Sequence, residues 1–334
     1  MNILIMTEKP AVSRLIAPFA RNVWPSANIN FMHVVPFTNL RFSYPRGLKL
    51  HEFPFLSEPR IRPVPWEEWR CPPLSLASDG DLVQVAMSRD LFTGADAIVC
   101  ACDPDPTGVV AFNVLMEHVF GDARAMECPT MTLRALDDDS IGRALSMMSD
   151  FRSVTATSLE YGRIKRYFDW NWNVNSMAVL GETQRRAGVP ADAPPLSKYA
   201  LQLLYGMRYQ APMTDGNVAR VMHYWQGTGR YKVAPGQWRL SLGSASSMLP
   251  IMDNLLAADL LDRIQVQGRH HLVVSERGHT LLRLLHPGCE DADLPFRLHA
   301  WGEQGAEAKP LVDRYIRTVF GRQLRFLNRT GAQA

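Results

Sequence analysis

Two short apolar runs, each stopped by acids and a proline, most constrain what this chain can fold into. Asn2 to Met6 (NILIM) ends in Thr7-Glu8-Lys9-Pro10, and Ala97 to Cys102 (AIVCAC) ends in Asp103-Pro104-Asp105-Pro106. Uninterrupted apolar runs of this length read as strands covered on both faces. Helical spacing follows each of them, in Val12, Leu15, Ile16 and Phe19 after the first and from Val109 to Val119 after the second. Strand, tight loop and helix, used twice, predict an α/β fold: a parallel sheet with flanking helices. Sites in such folds lie outside the carboxyl ends of the strands, which is where Glu8, Asp103 and Asp105 fall.

Residues 31–75 hold Pro36, Pro45, Pro54, Pro59, Pro63, Pro65, Pro72 and Pro73. Proline cannot donate to a sheet ladder, so an irregular excursion with short strands is expected there. Leu82 to Met87 reads as a weak strand or a helix start. Beyond Ser140 the pattern becomes helical, and Ala187 to Pro195 (AGVPADAPP) is the best linker. Later, Ser244 to Leu261 has helical spacing, Arg269 to Val274 is β-like and Glu276 to Leu285 is helical again, a helix-helix-wing order. The expected division is an α/β domain over 1–150, a helical basic segment over 151–240 and a winged-helix-like domain over 241–334.

With 46% of its 334 residues apolar, the chain has material for two or three globular domains and is no disordered tail. Its five cysteines form an odd set without a CxxC pair, which argues against a zinc ribbon or disulfide framework and for a reducing compartment. No run reaches the roughly 18 apolar residues of a membrane span. The opening run meets Glu8 and Lys9 too soon for a signal peptide, so a cytoplasmic protein without membrane contact is expected.

The net charge of +3 is unevenly spread. Residues 1–150 hold 13 Lys and Arg against 18 Asp and Glu, 151–240 hold 12 against 5, and 241–334 hold 11 against 10. A basic middle beside an acidic start fits a surface attracted to polyanions such as nucleic acid; it equally fits a solvated face.

Carboxylates at i and i+2 on an extended segment point the same way, so Asp103 and Asp105 can share a hard cation, and Mg²⁺ is the expected cofactor. A third carboxylate, Glu8, would complete the site or move a proton in phosphoryl transfer. The competing reading is an Asp-Pro turn of purely structural use. In the basic middle, Glu160 to Asn175 as a helix puts Tyr161, Ile164, Phe168 and Trp172 on one side and Arg163, Arg166, Tyr167 and Trp170 on the other. The second set interleaves cations with rings, as a surface that tracks phosphates and stacks bases does. Aromatics on both sides also fit a helix sandwiched between domains. Arg185, Arg186 and Arg220 add to the basic surface. Arg317, Arg322, Arg325 and Arg329 read as a DNA contact or a solvated end. His270-His271 lacks a third ligand at metal spacing, and Gly227-x-Gly229 is too short for a phosphate loop.

NILIMTEKPAVSRLIA together with AIVCACDPDPTGVVAFNVL resembles the Toprim domain of type IA DNA topoisomerases, where one strand ends in Glu-Lys-Pro-Ser and another in Asp-x-Asp. DWNWNVN (169–175) resembles that family's Asp-Trp-x-x-Gly-x-Asn segment. Pro194-Pro195-Leu196 and the helical stretch after it resemble the family's approach to its tyrosine. LGSASSMLPIMDNLLAADLLDR and LVVSERGHTLLRLL resemble its late helix and wing. The resemblance implies single-stranded DNA as partner and Mg²⁺ held by Asp103 and Asp105. It makes Glu8 the proton carrier, Tyr231 the nearest candidate nucleophile, and Lys9 and Asn175 further DNA contacts.

The chain also departs from that pattern. The family's acidic loop continues with two glutamates where this chain has Thr107 and Val109, and no Pro-Arg-Thr-Asp follows Tyr231. Ser43-Tyr44-Pro45-Arg46 has similar letters in the wrong place. Asn175 is followed almost at once by the linker, so most of a strand-passage gate is expected to be missing. Three functions stay open: a topoisomerase-like enzyme, a Toprim nuclease using water, and a DNA-binding accessory subunit of a mobile-element or defence complex, with a partner protein supplying what is missing.

Overall fold

The first apolar run forms strand β1 (Asn2–Thr7), buried from Ile3 to Thr7. In the computed structural model, which describes residues 1–34, 39–121, 125–133, 135–230 and 240–331, there follow α1 (Pro10–Val23), β2 (Asn28–His33), β3 (Leu40–Phe42), β4 (Ile61–Pro63), β5 (Leu74–Leu76) and β6 (Leu82–Gln84). Then come α2 (Asp90–Thr93), β7 (Ala97–Ala101), α3 (Pro106–Phe120), β8 (Pro129–Thr130), α4 (Asp138–Ser146) and β9 (Ser149–Asp150). Seven of these strands make one sheet in the order β6-β5-β2-β1-β7-β8-β9.

The inner strands β2, β1, β7 and β8 run parallel, as expected. Both edges are antiparallel instead. The connection from β5 to β6 is too short for a crossover, and only antiparallel strands can be joined so tightly. Alternation along β1 supplies both faces of the sheet. Ile3 and Ile5 pack with Val12 and Ile16 of α1 and Ile141 of α4, whereas Leu4 and Met6 pack with Val109, Phe112 and Met116 of α3.

Two compact units result: Met1–Tyr44 with Pro59–Ile164, and Pro45–Glu58 with Lys165–Ala334. Part of the proline-rich excursion thus belongs to the second unit, and helix α5 (Phe151–Arg186) contributes to both. The expected segments 151–240 and 241–334 both fall in the second unit from Lys165 onward. That unit continues with α6 (Lys198–Met207), α7 (Asp215–His223), α8 (Ala245–Ala257), the hairpin β10 (Leu261–Val266) and β11 (Arg269–Val274), α9 (Glu276–Arg283), α10 (Leu294–Gln304) and α11 (Lys309–Gly331). Met213, between α6 and α7, pairs antiparallel with Leu272 of β11. Ser197, Thr214 and Ser275 cap α6, α7 and α9 by accepting from the N–H three residues on.

Asparagines fasten the excursion into the second unit. Asn175 accepts from Phe55 N at 2.8 Å and donates to Phe55 O at 2.8 Å. One turn earlier, Asn171 accepts from Ser57 N at 2.9 Å and donates to Ser57 O at 3.1 Å. Two side chains four residues apart thereby pair with an extended backbone as a neighbouring strand would. Asn175→Leu is expected to strand the Phe55 donor and acceptor and to cost about 2–4 kcal/mol in urea unfolding. A loss below about 0.5 kcal/mol would show that the contact contributes nothing net.

Candidate acidic site and the expected nucleic-acid face

Register decides the acidic site. β1 and β7 pair with Thr7 opposite Ala101, so the next residues, Glu8 and then Cys102-Asp103, leave the sheet side by side. Asp105 caps α3, its Oδ1 accepting from Thr107 N at 2.7 Å and Gly108 N at 2.8 Å. The Glu8 carboxyl lies against the first turn of that helix, where Gly108 makes room for it. A Cβ on Gly108 would collide with Glu8 Oε1 and with the Asp103 carbonyl at 2.5 Å.

Glu8 is half-buried, and its Oε1 is buried without a hydrogen-bond partner. Burial first, then repulsion from Asp103 and Asp105, pushes its carboxyl up to about 7, against smaller opposing effects from Lys9 and an Asp103 backbone hydrogen bond. Beneath it, Thr7 Oγ1 meets Ser13 Oγ at 2.8 Å and Ser13 Oγ meets His33 Nε2 at 3.0 Å. All three residues are fully buried, and burial lowers the pKa of His33 from its ordinary value. This buried polar chain fixes the residue before Glu8. Sequence reading missed it, although Thr7 and Ser13 flank the Glu8-Lys9-Pro10 turn.

The donors suit a hard divalent cation, being all oxygen and mutually repelling. Among the described residues, however, no three His, Cys, Asp or Glu side chains are arranged to hold a metal ion. Asp105 also commits one oxygen to its helix cap. That leaves Asp103 and the second oxygen of Asp105, a two-carboxylate set of the kind that holds Mg²⁺ together with water and phosphate. The two later glutamates of the resembling family are Thr107 and Val109 here, and an acid could not replace Val109 cheaply, since this α3 residue is 2% exposed in the core it shares with Leu4 and Met6 of β1.

The expected nucleic-acid face on α5 is corrected in part. Trp170 is 1% exposed, and its Nε1 donates to Ser57 Oγ at 2.8 Å. Tyr167 is buried, and its hydroxyl donates to Asp313 Oδ1 at 2.6 Å. Arg166 is buried beside Asp169, which also takes Lys198 at 2.5 Å. Burial alone would raise Asp169, but Lys198 and Arg166 outweigh it and hold the carboxyl below its ordinary value. Asn175 is spent on Phe55. These four do not stand on an exposed face, because α5 is covered all round through its middle. Arg163 is exposed and paired with Glu160 and Glu117. Arg185 and Arg186 share Glu182, and Arg186 also donates to Leu327 O at 3.1 Å. Lys9 and Arg220 are exposed. Tyr231 lies outside the described residues.

Exposed cations gather instead on α11. Val312, Ile316, Val319, Phe320, Gln323 and Leu327 form its buried side, leaving Arg314, Arg317, Arg322, Arg325 and Arg329 exposed on the other. None of the five has a carboxylate within ion-pair distance among the described residues.

A carboxyl raised to about 7 is tolerated when protonated and penalised when ionised, so its contribution to stability fades as pH rises from about 4.5 through 7. Glu8→Gln is therefore expected to change stability little at pH 5. At pH 8 it should stabilise by on the order of 1 kcal/mol, after discounting for solvent screening of a half-buried group. Urea unfolding at both pH values checks this, and equal effects at the two would show a carboxyl with ordinary titration.

Compared with models of known protein families and with curated protein sequences, the chain matches none.

Proposed function

We propose that this chain is a type IA topoisomerase-like protein that binds single-stranded DNA and carries a Toprim-type, Mg²⁺-dependent phosphoryl-transfer site in its first unit. The observation that carries the reading is the convergence of Glu8, Asp103 and Asp105 at the carboxyl ends of two neighbouring parallel strands, against the first turn of α3. Support for a nucleic-acid partner comes from the second unit. Its order of helix, paired residue, helix, helix and hairpin is that of a winged helix, and α11 presents five exposed arginines.

Asp103 and the free oxygen of Asp105 would hold the cation. Bound there, Mg²⁺ would offset charge on the phosphate under attack. Glu8 has the proton affinity for exchange at neutral pH: near pH 7 its carboxyl is present in both forms. Protonated, it donates to the leaving 3′ oxygen of a cleaved strand; ionised, it takes the proton back on resealing. Tyr231 is the candidate nucleophile for a covalent intermediate.

A non-catalytic accessory role is the second reading, favoured by the core valine at 109 where the family has a glutamate. Denaturing gels of the full chain incubated with a labelled single strand and Mg²⁺ separate the readings. The enzymatic form gives a protein-linked strand that disappears in Tyr231→Phe, and Glu8→Gln slows its formation by roughly 10²–10⁴-fold. Strand cleavage that persists in Tyr231→Phe but not in Asp103→Asn points to water as the nucleophile. Binding without cleavage at any Mg²⁺ level, unchanged by EDTA and Asp103→Asn, leaves the accessory role.

A further inference from the structure

The second unit contains an open cavity of about 710 Å³ whose walls include Tyr205, Arg220, Tyr224, Trp225, Gln226 and Glu290. Its size is that of a small-ligand pocket, and three of its lining residues are aromatic. The rings are set firmly. Trp225 is 8% exposed, and its Nε1 donates to the Ala292 carbonyl at 2.6 Å. Its indole lies so close over α6 that a Cβ at Gly206 would stand 2.9 Å from Cη2. Tyr205 forms part of the buried wall, while Tyr224 is 42% exposed with the His223 ring edge-on at 4.6 Å.

The charges around the cavity do not balance. Glu290 is neutralised by Arg208 at 3.0 Å. Arg220, on the last turn of α7, is exposed and has no carboxylate partner among the described residues. One exposed ring beside an uncompensated guanidinium, on a wall of two buried rings, suits a ligand that is flat and aromatic at one end and anionic at the other.

We infer that this cavity receives one unstacked nucleotide of a single strand, its base against the exposed Tyr224 ring and its phosphate on Arg220. The inference rests on the proposed binding of single-stranded DNA and adds to it where a base is held. A duplex base is paired and stacked and could not enter, so the cavity selects for single strands without reading sequence. Tyr224 supplies the exposed ring, and Arg220 fixes the backbone beside it.

Fluorescence anisotropy of the full chain with a labelled single-stranded 20-mer tests this, using Tyr224→Ala and Arg220→Gln, with the thermal unfolding of each variant as the check that it is folded. Tyr224→Ala is expected to weaken binding roughly tenfold, as loss of one stacked base does. The same variant should bind a fully abasic 20-mer as well as the unaltered chain does. Arg220→Gln should weaken binding of both strands and reduce the salt slope by roughly 0.7, one phosphate contact on a single strand. Tight binding of the 20-mer unchanged in both variants would overturn the cavity's role while leaving single-strand binding intact. Absence of binding by the unaltered chain would overturn both. Binding of free AMP that is lost in both variants, with no affinity for the 20-mer, would replace the strand by a free nucleotide.

Discussion

The parallel, in-register pairing of β1 with β7 sets the rest of the first unit. Adjacent strands stand about 4.8 Å apart, and both are covered on both faces, so the residues that follow them must emerge together at one edge. Here those residues are acids. Glu8, Asp103 and Asp105 are crowded by the sheet and would not choose such proximity on electrostatic grounds. Burial first, and then that repulsion, raises the Glu8 carboxyl. Gly108 admits the carboxyl, and the Thr7, Ser13 and His33 chain holds the strand end in place below it.

Much of this was legible in the sequence because β1 and β7 are short, continuous apolar runs and their loops carry turn-forming prolines. A strand buried on both faces has few alternatives to such a pattern. One strand of the hairpin after α8 was legible, since Arg269 to Val274 ends in a Leu-Val-Val run; its partner β10 was not, although Gln267-Gly268 between them both take positive φ. What could not be read was which segment covers which. Residues 45–58 carry only turn signals, and their place in the second unit depends on Asn171 and Asn175 more than a hundred positions away.

Helix α5 shows why the candidate nucleic-acid face was harder to read. A helical wheel separates two faces only by assuming that one of them meets water. Arg166, Tyr167, Trp170 and Asn175 offer a guanidinium, a hydroxyl, an indole N–H and an amide, which serve equally to bind a nucleic acid or to satisfy a buried network. In this chain the partners are internal: Asp169, Asp313, Ser57 and the Phe55 backbone. Composition alone cannot distinguish the two uses. The distinction lies in a proline-rich segment and a C-terminal helix that the sequence places far away.

That relocation removes from solvent most of the basic and aromatic face expected on α5. A cluster of carboxylates repels a phosphodiester unless a cation intervenes, so the acidic site cannot be what recruits a nucleic acid. On the proposed function, recruitment would come from cations not already committed to carboxylates, and on α5 Arg163, Arg166, Arg185 and Arg186 are so committed. Among the described residues, exposed cations without an ion pair include Lys9 and Arg14 in the first unit and Arg220 and the row on α11 in the second. On that proposal, these cations would hold a polyanion and the acidic site would act on it. Such a reading requires no large net charge, and the chain carries +3 over 334 residues.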